Sequence, residues 1–127
     1  MNDIRTEEDV KQLVDAFYGK VQADALLDPI FSEVVKVDWS HHLPKMYAFW
    51  SGMILGKPGY TGQPWPAHAV LPVSAEHFQR WLELFRATVD ENFSGEGAMR
   101  AKNAAASIAN TFAMRMGLLD PMSGRLL

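Results

Sequence analysis

Apolar residues recur at helical spacing in four separate stretches of this chain. In the first, Val10, Leu13, Val14, Phe17 and Val21 keep the 3.6-residue period that puts one stripe on one helix face. Thr6 precedes it as a candidate N-cap, with Asp9 three residues on and acids in the first turn. A tight corner around Asp28-Pro29 spans 23–35. The second stretch runs from about Ser40 to Leu55, with Trp39, Leu43, Met46, Tyr47, Trp50 and Ile54 on one face, and Gly56-Lys57-Pro58-Gly59 ends it. The third, capped by Ser74, carries Phe78, Trp81, Leu82, Phe85 and Val89, and Ser94-Gly95-Glu96-Gly97 breaks it. The fourth, from about Ala98 to Met116, uses Ala101, Ala105, Ile108, Phe112 and Met116, and its alanines allow close approach of another helix. No stretch of six or more residues alternates convincingly, so the expected fold class is all-α. The expected organisation is a single domain over 1–127, with a frayed tail from about 119.

One segment escapes this periodicity. Between the second and third stretches lies Tyr60-Thr61-Gly62-Gln63-Pro64-Trp65-Pro66-Ala67-His68-Ala69-Val70-Leu71-Pro72. Prolines on both sides of His68 allow at most a turn or two of helix around it. Rigid backbone here holds one imidazole beside an apolar run. Imidazole is the commonest metal-ligand side chain, and a lone imidazole is one way proteins hold haem iron. A surface loop histidine is the plain alternative.

Composition narrows the classes. A 127-residue chain that is 48% hydrophobic, with four Trp, three Tyr and seven Phe, can bury a large apolar ligand as well as its own core. The net charge of −3 and the lack of a basic stripe give no reason to expect nucleic-acid binding. The absence of cysteine excludes disulfides, thiolate metal sites, iron–sulfur clusters and covalent haem attachment. The acidic, polar N-terminus does not read as a signal peptide, and no apolar run approaches the length that spans a bilayer. A soluble cytoplasmic protein with no membrane partner is the expectation.

Three further residues bear on chemistry. Tyr18 follows Phe17 at the edge of the first stripe, so its ring faces inward and its hydroxyl needs a partner. Trp81 sits in the middle of the third stripe, and its indole nitrogen is a donor only. His42 lies one turn before Met46, beside the Trp39–Trp50 stripe. Donors facing one imidazole across a buried site suit an electron-rich ligand on a metal.

At these residues the chain resembles the truncated haemoglobins, and within them group III. The resemblance covers about Val10 to Phe112 and rests on the order and spacing of several pieces. They are Phe17-Tyr18, Leu27-Asp28-Pro29-Ile30-Phe31, Trp39-Ser40-His41-His42, Phe49-Trp50-Ser51-Gly52-Met53, Tyr60-Thr61-Gly62-Gln63-Pro64, His68-Ala69-Val70-Leu71-Pro72, and His77-Phe78-Gln79-Arg80-Trp81-Leu82-Glu83-Leu84-Phe85. It implies a two-over-two helical sandwich around haem b, with the proximal ligand at His68. It implies the distal tyrosine at Tyr18, the distal-helix histidine at His42 and the distal tryptophan at Trp81. Phe31 falls where globins press a phenylalanine on the porphyrin, and Met46 faces the ligand side.

The resemblance implies a five-coordinate iron that takes dioxygen, nitric oxide or carbon monoxide. Two donors beside the iron would slow release, which suits nitric-oxide detoxification or peroxidase-like use of peroxide as well as storage. The chain carries no flavin or nicotinamide motif, so turnover needs an external reductase. The competing reading is a haem-free helical module that binds another apolar ligand or a partner protein.

Ordinary structural roles stand beside these. Pro44 removes a backbone donor and disfavours helix at Leu43, which would displace His42 or make it a gate at the distal entrance. His41 then rivals it. His77, in the first turn after Ser74, reads as a capping or solvated residue. Trp39 and Trp50 read as helix packing. Arg80, Arg86, Tyr60 and Lys45 are candidates for a haem propionate and equally for solvated surface.

Overall fold

The computed structural model describes residues 1–59 and 72–118. All regular structure among them is helical: α1 (Glu7–Ala23), α2 (Trp39–Leu55), α3 (Ala75–Asn92) and α4 (Glu96–Arg115), with one π-helical turn at Ile30–Val34. The principal packings form a ring, in which α1 lies on α2 and α3, and α4 lies on α2 and α3. Two helices thus cross over two others, with the core between the layers.

Each helix begins where side-chain chemistry allows. Thr6 and Asp9 form a reciprocal capping box on α1: the Asp9 N–H donates to the Thr6 hydroxyl at 3.1 Å, and the Thr6 N–H donates back to Asp9 at 3.1 Å. Backbone donors from Arg5 and Thr6 hold the Asp9 carboxyl below its ordinary pKa. Asp38 caps α2 by accepting from the Ser40 N–H at 3.1 Å. Gly56, at φ +70°, ends α2 in the left-handed conformation, where its N–H donates to Gly52 C=O at 3.1 Å.

α2 is continuous through Pro44, as the apolar spacing over Ser40 to Leu55 predicts, and the proline does not unwind Leu43. The helix runs through Leu43, and His42 keeps its backbone bond to Asp38 C=O at 2.9 Å. The missing Pro44 donor would have served the carbonyl of Ser40, which lies in the exposed first turn where water can take its place.

The N-terminal segment belongs to the body, which its polar composition concealed. Ile4 is fully buried. The Asp3 carboxylate accepts from the Gly97 and Ala98 N–H groups, each at 2.9 Å, and so caps α4 from the far end of the chain. Those bonds, from Gly97 first, hold Asp3 below the usual carboxylate range. The local N-cap, Gly95, has no side chain to offer and stands at φ +124°. A Cβ on Gly97 would lie 2.4 Å from Ile4 O, so only glycine admits this approach.

The interior is aromatic and aliphatic. Phe17, Phe85 and Trp50 are its largest fully buried side chains, joined by Leu13, Val14 and Val89. Small residues on α4 (Ala98, Ala101, Ala105, Ala109) bring that helix close to its neighbours. No helix among the described residues is long and apolar enough to cross a membrane.

Candidate functional site

Packing is incomplete at one end of the body. A cavity of about 280 Å³ lies between the helices and the π-helical turn, bounded by Tyr18 from α1, His42, Met46, Phe49 and Trp50 from α2, and His77, Phe78 and Trp81 from α3. Ile30 and Phe31 line it from the π turn, and Ile108, Ala109 and Phe112 from α4. A wider depression of about 830 Å³ opens where the N-terminus meets α4, but it is an open surface hollow. Two of its polar side chains serve the fold: Asp3 caps α4, and Arg100 Nε donates to Ile54 C=O at 3.0 Å.

The smaller cavity is mainly apolar, and its polar atoms sit on rings. Tyr18 is 5% exposed, and burial pushes its hydroxyl well above the ordinary tyrosine range, so it stays protonated and able to donate. His42 stands edge-on to Tyr18, ring centroids 5.4 Å apart, and edge-on to Trp39 at 5.7 Å. Trp39 also packs on Tyr18 at 5.3 Å and stacks on Phe31 at 5.7 Å. These four rings make one cluster over the head of α2. Trp81 stacks on Phe85 at 5.6 Å and on Trp50 at 6.4 Å, which ties its indole to the core.

Of the residues singled out from sequence, Tyr18, Phe31, His42, Met46 and Trp81 come together around this cavity. Arg80 does not line it; its guanidinium lies 3.7 Å from Asp24 on the outer surface. Tyr60 and His68 lie outside the described residues. Trp39 is the residue whose place sequence reading missed: it packs its helix, but against the ligand-side rings. Its position three residues before His42, on the same helix face, was the available signal. His77 takes the capping role expected of it, accepting from the Ser74 N–H at Nδ1 (3.0 Å), and also reaches the cavity.

A buried apolar chamber with hydrogen-bond donors set among its rings defines a small all-helical protein built to hold a mainly apolar prosthetic group and a small polar ligand. Residues 2–116 match the bacterial-like globin family, and the chain belongs to it. It is 36% identical over 94 residues to the group 3 truncated haemoglobin of Campylobacter jejuni, covering 71% of this chain and 74% of that protein. The crystal structure of a group III truncated haemoglobin from Campylobacter jejuni superposes with a TM-score of 0.83 at 32% identity, over 91% of this chain and 95% of that one. The fold is therefore the truncated globin fold, and the chain is a haem globin of that type.

The cavity fits the group. A porphyrin is a flat, apolar disc with carboxylates at its edge. Here Phe31, Met46, Phe49, Ile108 and Phe112 offer apolar walls from three different elements, and among the described lining residues the polar ring atoms belong to Tyr18, His42, Trp50, His77 and Trp81.

Proposed function

We propose that this chain is a haem b protein that takes dioxygen, nitric oxide and carbon monoxide, with His68 as the iron ligand. The observation that carries this reading is the convergence of Tyr18, His42 and Trp81, from three helices, on one mainly apolar cavity. When bound, haem supplies an iron with an open coordination position for a diatomic ligand.

The chain's own residues set the surroundings of that ligand. Phe31, Met46 and Phe49 keep water out, so each remaining hydrogen bond acts in a low dielectric. Tyr18 keeps its proton and donates. Trp81, tied to Trp50 and Phe85, is the second donor. Each such bond contributes about 0.5–1.5 kcal/mol, so two donors slow the release of a ligand that gains negative charge. His42 lines the ligand side and does not bind the iron. Val73 lines the cavity five residues after His68, a span of at most about 18 Å at full extension, so the chain length is compatible with the imidazole serving the chamber. Slow release favours chemistry on the ligand over delivery, and the reading extends to oxidation of nitric oxide or consumption of peroxide with electrons from an external reductase.

Hemin added to the purified protein should give a Soret band that moves on reduction and again with carbon monoxide. The ferrous protein without added ligand should be five-coordinate. His68→Ala should abolish stable uptake, or leave a site restored by free imidazole. A chain that takes up no hemin, or a His68→Ala variant with an unchanged spectrum, overturns the reading. A six-coordinate, low-spin ferrous spectrum that His42→Ala converts to five-coordinate would make His42 an iron ligand instead.

A further inference from the structure

We propose that His77 holds a carboxylate of the bound haem through Nε2–H. The inference rests on the haem reading above and adds the residue that anchors the polar edge of the group.

The geometry carries it in three steps. First, the Nδ1 atom of His77 accepts from the Ser74 backbone N–H at 3.0 Å and lies 3.0 Å from the Ser74 hydroxyl. A backbone N–H can only donate, so Nδ1 bears the lone pair and the proton of the neutral ring sits on Nε2. The Ser74 contact therefore leaves the ring with an N–H donor on its other edge, in a fixed orientation. A ring nitrogen that carries a proton is not a ligand for iron, which separates this histidine from the proximal role.

Second, His77 lines the cavity while its partner Ser74 is exposed and the ring itself is half-buried. That places it at the rim. The other N–H or O–H donors among the described lining residues are Tyr18, His42, Trp50 and Trp81, whose rings pack among other aromatic rings. Tyr18 and His42 stand in the ring cluster with Phe31 and Trp39, and Trp81 is stacked into the core.

Third, no lysine or arginine is among the described residues that line the cavity. Arg80, one turn along α3, is turned to Asp24. A carboxylate at the rim meets His77 first among the described donors, and a hydrogen bond to a charged partner is stronger than one between neutral groups.

The test compares protohaem with its dimethyl ester, which keeps the ring and iron but removes both negative charges. Haem loss to an excess of an apoglobin acceptor is followed for the wild type and for His77→Asn. Asparagine keeps an oxygen where Nδ1 stands, so it can still accept from the Ser74 N–H. With protohaem, His77→Asn should lose the group about tenfold faster, the lower end expected for a hydrogen bond to a charged group. With the dimethyl ester the two proteins should lose it at the same rate. The same acceleration with both haems, or none with either, overturns the proposal. A chain that takes up neither haem overturns the haem reading itself, and this inference with it. In the unmutated protein, imidazole nitrogen NMR should show slow exchange of the His77 Nε2–H with protohaem and fast exchange with the ester. Equal exchange in the two would also overturn the assignment.

Discussion

Phe17 and Tyr18 are adjacent in α1 and both almost wholly buried, yet each is the centre of a different aromatic group. Phe17 meets Phe85 and Trp81 edge-on, at 5.2 and 5.6 Å, where ring packs against ring. Tyr18 meets Phe31, Trp39 and His42 at 5.9, 5.3 and 5.4 Å and borders the cavity. The two central rings differ little in size and burial. What differs is that the Tyr18 group brings a hydroxyl and imidazole nitrogens to the cavity, whereas in the Phe17 group Phe17 and Phe85 carry no polar atom and Trp81, which also lines the cavity, carries one. A core excludes such atoms because each unsatisfied one costs free energy. Their concentration beside open volume marks the place where a small polar ligand would find hydrogen-bonding groups.

Four substitutions would break or sharpen that contrast. Phe85→Ala empties the packed side, where the ring is fully buried against Phe17, Trp50 and Trp81. It should lower stability by about 3–5 kcal/mol in urea unfolding. A loss below about 1 kcal/mol would mean that the packed side is as loose as the cavity side.

Gly97→Ala tests the N-terminal approach to α4. The added methyl meets Ile4 O at 2.4 Å, a backbone atom that cannot swing aside. A loss of about 1–3 kcal/mol is expected, read as a lower Tm, with the cavity unaffected. An unchanged Tm would show that Ile4 does not lie where the fold puts it.

Tyr18→Phe keeps the ring and removes only the hydroxyl. Oxygen dissociation from the haem-loaded protein should speed by roughly two- to tenfold, the value of one lost hydrogen bond. Carbon monoxide, less polar when bound, should respond less. Because burial pushes the hydroxyl above its ordinary range, the difference should persist through mildly alkaline pH. Equal oxygen release in Tyr18→Phe and wild type would reduce Tyr18 to a packing residue like Phe17.

Asp3→Asn is the smallest change and the most pH-dependent. The folded carboxyl is held below its unfolded value by Gly97 and Ala98 donors. Its contribution is therefore present above the unfolded pKa of about 3.9 and is lost as pH falls through the lower folded value. Wild type should be the more stable at neutral pH, and the two should converge in acid. Parallel stability curves down to the lowest pH at which the fold survives would remove Asp3 from the cap.

Much of this was legible along the chain. The four apolar stripes mark the helices, because burying one face of a helix requires that period and no other. The caps Thr6 and Ser74 and the stop at Gly56 are local chemistry, read within one turn. Tyr18 and Trp81 were visible as inward-facing donors for the same reason. Other features depend on residues far apart in sequence, and only the tertiary structure decides them. Asp3 caps a helix that begins at Glu96, and no local pattern announces a donor–acceptor pair so distant. The continuity of α2 through Pro44 depends on whether the Ser40 carbonyl can meet water, which is a matter of exposure. Trp39 reads as packing until Phe31 and Tyr18 arrive from other elements to make that packing part of the site. His77 reads as a cap until the cavity appears beside it. Periodicity and capping are written residue by residue, whereas a cavity exists only where several elements fail to fill the space between them.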